Sequence, residues 1–284
     1  MRILILGATG LLGSFLNHYF SKKKHKVFPT GFKKKSKYYL NLLNQKSILK
    51  FFKYTKPGII INCAAQTNVE KCINDFYFGY KGNTLIVKNI VLAIQKLKYK
   101  PHFIHFSTDQ IYNNKNKKKH SSENQVNLTN NYSITKYLGE LEAKKILKST
   151  IIRCNFFGKS FLKKRKTFSD YIIYNLSKKN KIKIPNNIFY NPVSLNYIAE
   201  ILELIIFKKK TGIYNLGSKD NLSKFNFGIL IQKKYSFPSN LIIAYKSNYN
   251  KDRRPLNTSV STRKIEKSLR IKAPFIKDMI VNNS

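Results

Sequence analysis

The 284-residue sequence has no tryptophan, two methionines, three cysteines and only 13 acidic residues. The cysteines, Cys63, Cys72 and Cys154, have no CxxC or metal-type spacing, and their odd number favours reduced thiols and a cytoplasmic location. The first residues also contain no long apolar run, since the apolar stretch Ile3–Leu6 has only four residues. Such a run is too short for a signal peptide or a membrane span, so we expect no membrane association.

The scarcity of acids leaves a formal net charge of +41, with 54 basic residues in the chain. A basic surface can bind nucleic acid, but only seven of these residues are arginine, which nucleic-acid readers commonly use. The lysines accompany many Asn, Ile, Tyr and Phe residues, as expected when A/T-rich codons dominate. We therefore attribute the charge to genome composition and predict no nucleic-acid partner, although a basic surface still attracts anionic ligands. Lysine runs fall between predicted elements, at Lys22–Lys24, Lys33–Lys35, Lys117–Lys119 and Lys208–Lys210.

Short apolar runs alternate with longer amphipathic stretches, which predicts an α/β fold with a Rossmann-like, doubly wound parallel sheet. The first predicted strands are Arg2–Leu6, Lys26–Pro29, Gly58–Asn62, Phe103–Ser107 and Thr150–Cys154, and the helices between them are Leu11–Ser21, Lys46–Tyr54, Tyr80–Lys98 and Tyr132–Leu147. Later helices are predicted at Phe168–Ser177, Leu195–Phe207 and Lys224–Lys233, with strands at Lys181–Pro185 and Gly212–Leu216. We expect one domain at 1–157 and a smaller C-terminal lobe at 158–284, with the strand near 212–216 returning to the main sheet.

Three glycines follow the first predicted strand, in Gly7-Ala8-Thr9-Gly10-Leu11-Leu12-Gly13. One glycine permits a sharp turn, another lets backbone N–H groups approach a pyrophosphate, and the last keeps the helix close to the strand. The N-terminus of the following helix adds partial positive charge. The spacing is GxxGxxG rather than the GxGxxG of most dehydrogenases, and its place between strand and helix predicts a dinucleotide site.

The second predicted strand ends without the acid that commonly binds the adenosine ribose of NAD. It runs through Pro29-Thr30-Gly31-Phe32 into Lys33–Lys35. Because lysines suit a ribose 2′-phosphate, we predict NADPH in preference to NADH.

Tyr132 and Lys136 are four residues apart near the start of a predicted helix, so their side chains share one face. A tyrosine can give a proton to a carbonyl oxygen during reduction, and a nearby ammonium helps it to do so. Thr108 follows the fourth predicted strand, at the edge where doubly wound folds bind ligands. Its hydroxyl can bridge a substrate carbonyl and the phenol, so we predict a catalytic set of Thr108, Tyr132 and Lys136.

These features resemble the extended short-chain dehydrogenases, and among them the dTDP-4-dehydrorhamnose reductase family. The resemblance runs nearly end to end, through Gly7–Gly13, Asn62–Lys71, Ser107–Tyr112, Tyr132–Lys136 with Leu138-Gly139-Glu140, Arg153 and Arg254–Ser259. It implies catalysis by Thr108, Tyr132 and Lys136, and sugar contacts from Thr108, Asp109 and Phe156. The cofactor site that it implies consists of Gly7, Gly10, Leu11, Leu12, Gly13, Asn41, Ala65, Gln66, Thr67, Phe106, Tyr132 and Lys136.

Three positions depart from relatives of this kind. Asp109-Gln110 replaces the Asp-Glu of sugar-nucleotide dehydratases, which favours plain reduction. Asn41 replaces the usual Asp near the adenine, which weakens that contact. Phe15 stands where some members have a glutamate bound to Mg²⁺, so we predict no metal.

The resemblance therefore implies NADPH-dependent reduction of a nucleotide-activated 6-deoxysugar, dTDP-4-dehydro-L-rhamnose to dTDP-L-rhamnose, for cell-surface polysaccharide precursors. The alternatives are an epimerase or reductase acting on another sugar nucleotide, and a non-catalytic NAD(P)-binding regulatory subunit. A nucleotide-sugar substrate and a possible homodimer are the expected partners. Among the remaining residues, we interpret His105 as a structural histidine, Cys63 as a packed small hydrophobe, and Glu140 and Glu142 as surface partners of lysines.

Overall fold

The computed structural model describes residues 1–32, 36–113, 118–159, 167–248 and 254–281. Its main sheet contains seven strands in the order β11-β6-β5-β4-β1-β2-β3. The pairs from β3 to β6 run parallel. These strands are β1 (Arg2–Leu6), β2 (Lys26–Gly31), β3 (Tyr38–Tyr39), β4 (Ile59–Asn62), β5 (His102–Phe106), β6 (Ser149–Cys154) and β11 (Gly212–Leu216).

The strand order reverses between β1 and β4, where a doubly wound sheet opens a crevice at the carboxyl ends of its strands. Ile3 pairs with Val27 on one side and with Ile59 on the other. Every residue of β4 and β5 is buried, because strands of a parallel sheet are covered on both faces. Gly7 and Cys63 therefore leave the sheet side by side at the switch point.

Helices connect the strands and cover the sheet. They are α1 (Leu11–Lys22), α2 (Gln45–Thr55), α3 (Val69–Asn74), α4 (Phe76–Tyr80), α5 (Ile86–Gln95), α6 (Asn131–Ala143), α7 (Phe168–Ser177), α8 (Leu195–Phe207), α9 (Lys224–Lys234), α10 (Arg263–Leu269) and α11 (Ile276–Val281). A π-helical turn, Lys81–Leu85, joins α4 to α5. The apolar face of α5 packs on the sheet through Val87, Ile90, Val91 and Ile94.

The chain forms two compact units that are discontinuous in sequence. Unit 1 contains Met1–Thr108, Asn130–Ile152 and Leu202–Ile213, and unit 2 contains Asp109–Thr129, Arg153–Ile201 and Tyr214–Ser284. Unit 2 holds three small two-stranded sheets, β7 (Phe156–Phe157) with β10 (Val193–Ser194), β9 (Phe189–Tyr190) with β12 (Leu222–Ser223), and β8 (Ile182–Pro185) with β13 (Ile242–Tyr245). The division at residue 157 stays a prediction.

The predicted fold class is confirmed, and the main elements lie where the hydrophobic pattern places them. Helices Phe168–Ser177 and Leu195–Phe207 and strand Gly212–Leu216 have the predicted bounds. The helix predicted at Tyr80–Lys98 begins instead with the π-helical turn, which the apolar period does not reveal. The helix predicted to reach Leu147 ends at Ala143.

Candidate active site

The glycine turn joins β1 to α1 with little room for side chains. Gly7 has φ +81°, and a Cβ built on it would lie 2.7 Å from the backbone nitrogen of Ala64. A Cβ on Gly13 would lie 2.4 Å from the carbonyl oxygen of Gly7. Gly10 donates its N–H to that same oxygen at 2.9 Å and caps α1 without a side chain. The turn therefore leaves the N-terminal N–H groups of a 12-residue helix uncovered by side chains, which fits a pyrophosphate.

The other predicted cofactor residues belong to unit 1. Leu12 and Phe106 are buried, Leu11, Asn41, Ala65 and Gln66 are half-buried, and Thr67 is exposed. The side chain of Asn83 accepts the N–H of Gln66 at 2.9 Å and so fixes the segment after β4. Asn41 accepts the N–H of Leu43 at 2.9 Å, which turns the chain after β3.

The three predicted catalytic residues are buried in unit 1. Their exposed fractions are 5% for Thr108, 7% for Tyr132 and 3% for Lys136. Asn130 and Ser133 cap the start of α6 reciprocally, which fixes the helix end that carries Tyr132. The ammonium of Lys136 donates to the carbonyl oxygen of Phe106 at 2.8 Å. The helix with the Tyr/Lys pair is thereby bonded to the strand end that leads to Thr108.

Two titratable groups near Lys136 are held in their neutral forms. Burial lowers the pKa of His105 well below its usual value, and the positive charge of Lys136 lowers it further. Burial raises the pKa of the Cys63 thiol, and Lys136 only partly opposes this. His105 Nδ1 lies 3.1 Å from the amide nitrogen of Asn62, a contact that fits a structural histidine.

Glu140 is not the surface partner of a lysine that the sequence suggested. Its exposed fraction is 0%, and its carboxylate accepts a hydrogen bond from the Ser107 hydroxyl. Glu142 does bind a lysine, with 2.8 Å between its carboxylate and the ammonium of Lys145. The prediction was wrong for Glu140 because α6 packs against β5 and the π-helical turn, which bury the face that carries Lys136 and Glu140.

A second polar cluster lies in unit 2 around Asp109, which is 2% exposed. Thr258 donates its hydroxyl to this carboxylate at 2.6 Å, and the amide of Asn155 approaches it at 3.3 Å. Burial raises the pKa of the Tyr190 hydroxyl well above its usual value, and the charge of Asp109 adds to the effect. Burial also lowers the pKa of Lys224, the neighbouring Arg254 lowers it further, and Asp109 opposes both.

Sequence reasoning named Asp109 but missed Thr258, Asn155, Tyr190 and Lys224. Thr258 lies in the Arg254–Ser259 segment, which could have suggested it, whereas the other three lie outside any motif. Phe156 is half-buried and begins β7, paired with Val193. Arg153 is buried and donates to the Tyr112 hydroxyl at 2.6 Å. Arg253 and Lys33–Lys35 lie outside the described residues.

Within the described ranges, no helix is long and apolar enough to cross a membrane. The same residues contain no group of three or more His, Cys, Asp or Glu side chains arranged to hold a metal ion. The absence of a metal stays a prediction.

Comparison with family models assigns the chain to a family. The model described as the RmlD substrate binding domain matches residues 1–282. The spore coat polysaccharide biosynthesis protein SpsK of Bacillus subtilis (strain 168) is 23% identical over 270 residues, covering 94% of this chain and 91% of SpsK. A dTDP-4-dehydrorhamnose reductase of Aggregatibacter actinomycetemcomitans is 25% identical over 243 residues, covering 81% of this chain and 78% of that protein.

Among solved structures, dTDP-4-dehydrorhamnose reductase from Bacillus anthracis str. Ames in complex with NADP has a TM-score of 0.90 to this chain. The two chains are 20% identical, and the match covers 99% of this chain and 98% of the other. At this identity, the likeness shows the fold.

Proposed function

Because the chain belongs to the family of the RmlD substrate binding domain, we propose that it reduces the 4-keto group of a nucleotide-activated 6-deoxysugar, converting dTDP-4-dehydro-L-rhamnose to dTDP-L-rhamnose. Membership confirms the resemblance read from the sequence and the predicted class, an NAD(P)H-dependent oxidoreductase. The observation that carries the proposal is the buried Lys136, bonded to the strand end that leads to Thr108 and one helical turn from Tyr132.

The cofactor binds at the carboxyl edge of β1 and β4. Gly7, Gly10 and Gly13 let the backbone approach the pyrophosphate, and the start of α1 stabilises its charge. Leu11, Leu12, Asn41, Ala65, Gln66, Thr67 and Phe106 complete the proposed lining. When bound, the reduced nicotinamide supplies a hydride to the sugar C4.

The protein supplies the proton. The Tyr132 hydroxyl gives its proton to the sugar oxygen as the C4–H bond forms, and the carbonyl becomes a hydroxyl. The positive charge of Lys136 stabilises the phenolate that remains, and its ammonium binds the nicotinamide ribose. Thr108 hydrogen-bonds the carbonyl oxygen and holds it beside the phenol.

The Asp109 cluster of unit 2 binds the sugar nucleotide. Asp109 and Phe156 contact the sugar, with Asp109 oriented by Thr258 and Asn155. Burial lowers the pKa of Lys224, and the positive charge of Arg254 lowers it further, so two cationic side chains lie near Asp109. Two cationic side chains suit an anionic diphosphate, which supports a nucleotide-activated substrate rather than a free sugar.

NADPH is the proposed reductant in preference to NADH. No acid follows β2 in the sequence, where NAD-dependent enzymes commonly place one. A Cβ on Gly31 would lie 2.4 Å from the Ser36 hydroxyl and 3.0 Å from the Thr9 hydroxyl, so both hydroxyls gather at the end of β2. Hydroxyl donors of this kind suit a 2′-phosphate, and the lysines at 33–35 add positive charge.

A substrate panel tests the assignment. NADPH oxidation is followed with dTDP-4-dehydro-L-rhamnose and with other 4-keto sugar nucleotides, and the first should give the highest kcat/KM. If another keto sugar gives the highest kcat/KM, the substrate assignment changes but the assigned reaction, reduction of a keto group, stands. Tight NADPH binding without oxidation by any keto sugar would favour a regulatory subunit. A cytoplasmic location, a homodimer and the lack of a nucleic-acid partner stay predictions.

A further inference from the structure

Buried charge in unit 1 is concentrated on helix α6. Among the described residues of this unit, Lys136 and Glu140 are the buried lysine and the buried acid, at 3% and 0% exposure. They are four residues apart, so they share one helix face with their Cβ atoms about 6 Å apart. The chain has only 13 acidic residues, and one of them is buried beside the proposed catalytic lysine.

Lys136 and Glu140 both bind the strand end that carries Thr108. Lys136 donates to the carbonyl oxygen of Phe106 at 2.8 Å, and Glu140 accepts from the hydroxyl of Ser107, the next residue. Thr108 follows immediately. Two successive residues of the strand end are thus bonded to successive turns of α6, which limits how far Thr108 can move relative to Tyr132.

Two titratable groups near Lys136 carry no charge. His105 on β5 and Cys63 after β4 are neutral for the reasons given above. The π-helical turn contributes uncharged hydrogen bonds, from Asn83 and Thr84 to Thr135. Glu140, four residues along the same helix, is the buried acid among the described residues of unit 1, and a buried ammonium is costly without an opposite charge.

We propose that Glu140 is a positioning residue for the reduction, acting through Ser107 and Lys136. Its hydrogen bond to Ser107 sets the position of Thr108 relative to Tyr132, and its negative charge balances Lys136. That charge also opposes formation of the Tyr132 phenolate, so the phenol stays protonated to higher pH. The inference rests on the proposed function, since it assigns Tyr132 the proton-donating role.

A titration of Tyr132 tests the electrostatic half without any sugar substrate. The enzyme is labelled with ¹³Cζ-tyrosine and titrated with NADP⁺ present, and the Tyr132 signal is identified by its loss in Tyr132→Phe. Glu140→Gln keeps an acceptor for Ser107 but removes the charge. It should lower the midpoint by about one pH unit, as expected for a unit charge about 12 Å away, the helical rise over eight residues, at an effective dielectric of about 20. Glu142→Gln, on the same helix, should leave the midpoint in place.

Ser107→Ala tests the positional half, because it removes the hydroxyl and keeps the charge. Its kcat for the keto sugar should fall roughly tenfold, with KM and NADPH affinity within about twofold of wild type and the Tyr132 midpoint unchanged. Ser107→Thr, which restores a hydroxyl, should recover most of the loss. Should Glu140→Gln fail to fold, Ser107→Ala and Ser107→Thr decide the proposal.

An unchanged midpoint in Glu140→Gln, or full kcat in Ser107→Ala, would overturn the role of Glu140. Failure of the proposed function has a different signature, because wild type itself would then fail to oxidise NADPH with any of the keto sugars. In that case the midpoint shift in Glu140→Gln still reports on the charge balance.

Discussion

Replacing Gly13 with alanine should separate cofactor binding from the rest of the fold. The added Cβ would lie 2.4 Å from the Gly7 carbonyl oxygen and 2.9 Å from Ala8 Cα. Both atoms belong to the backbone, and Gly7 is itself held against Ala64 at φ +81°. The turn must therefore move by about 1 Å to reach ordinary van der Waals separation, and the N–H groups that bind the pyrophosphate move with it.

Losing one hydrogen bond to a charged group costs about 1.5–3 kcal/mol, so the NADPH Kd should rise roughly 10- to 100-fold. Titration calorimetry measures the Kd, and circular dichroism checks that the fold is retained. Gly58→Ala is the matched control, because its Cβ would meet only the Arg2 carbonyl oxygen at 3.9 Å. If Gly13→Ala binds NADPH within twofold of wild type, the placement of the pyrophosphate at this turn is wrong.

Two further predictions concern buried polar groups. Burial lowers the pKa of His102 to about 4, whereas the same histidine in the unfolded chain has a pKa of about 6.5. Between these pH values the unfolded chain binds a proton that the folded protein does not. The free energy of unfolding therefore declines by up to about 1.4 kcal/mol for each unit by which the pH falls. His102→Gln should flatten this decline in urea unfolding at pH 7 and pH 5, and an unchanged slope contradicts the assignment. Thr258→Val removes the donor to the buried Asp109 carboxylate and should cost about 1–3 kcal/mol, whereas Thr258→Ser should retain most of the stability in the same assay. Equal unfolding midpoints for Thr258→Val and wild type would show that the hydrogen bond contributes nothing.

The sheet and the glycine turn could be predicted from the sequence because both depend on local pattern. Buried parallel strands appear as continuous apolar runs, and glycines at a strand-to-helix junction identify the turn. The Tyr132/Lys136 spacing likewise needs only the helical period. Their roles remain proposals, and the structure places both in one unit with Thr108.

The contacts that orient the candidate site could not be predicted in this way. Ser107 and Glu140 are 33 residues apart, and Asp109 and Thr258 are 149 apart, so neither pair leaves a periodic signal. In a lysine-rich chain, a glutamate two positions before Glu142 looks like a solvated residue until the packing of α6 is known. Burial, rather than residue type, separates Glu140 from Glu142.

The central claim is that Tyr132 donates the proton in reduction of a keto sugar nucleotide. The most direct measurement is NADPH oxidation by wild type and Tyr132→Phe with dTDP-4-dehydro-L-rhamnose, with NADPH binding measured for both. We predict turnover by wild type and a kcat at least about 10²-fold lower in the variant, with NADPH affinity within about twofold. Near-normal turnover in Tyr132→Phe would contradict the account.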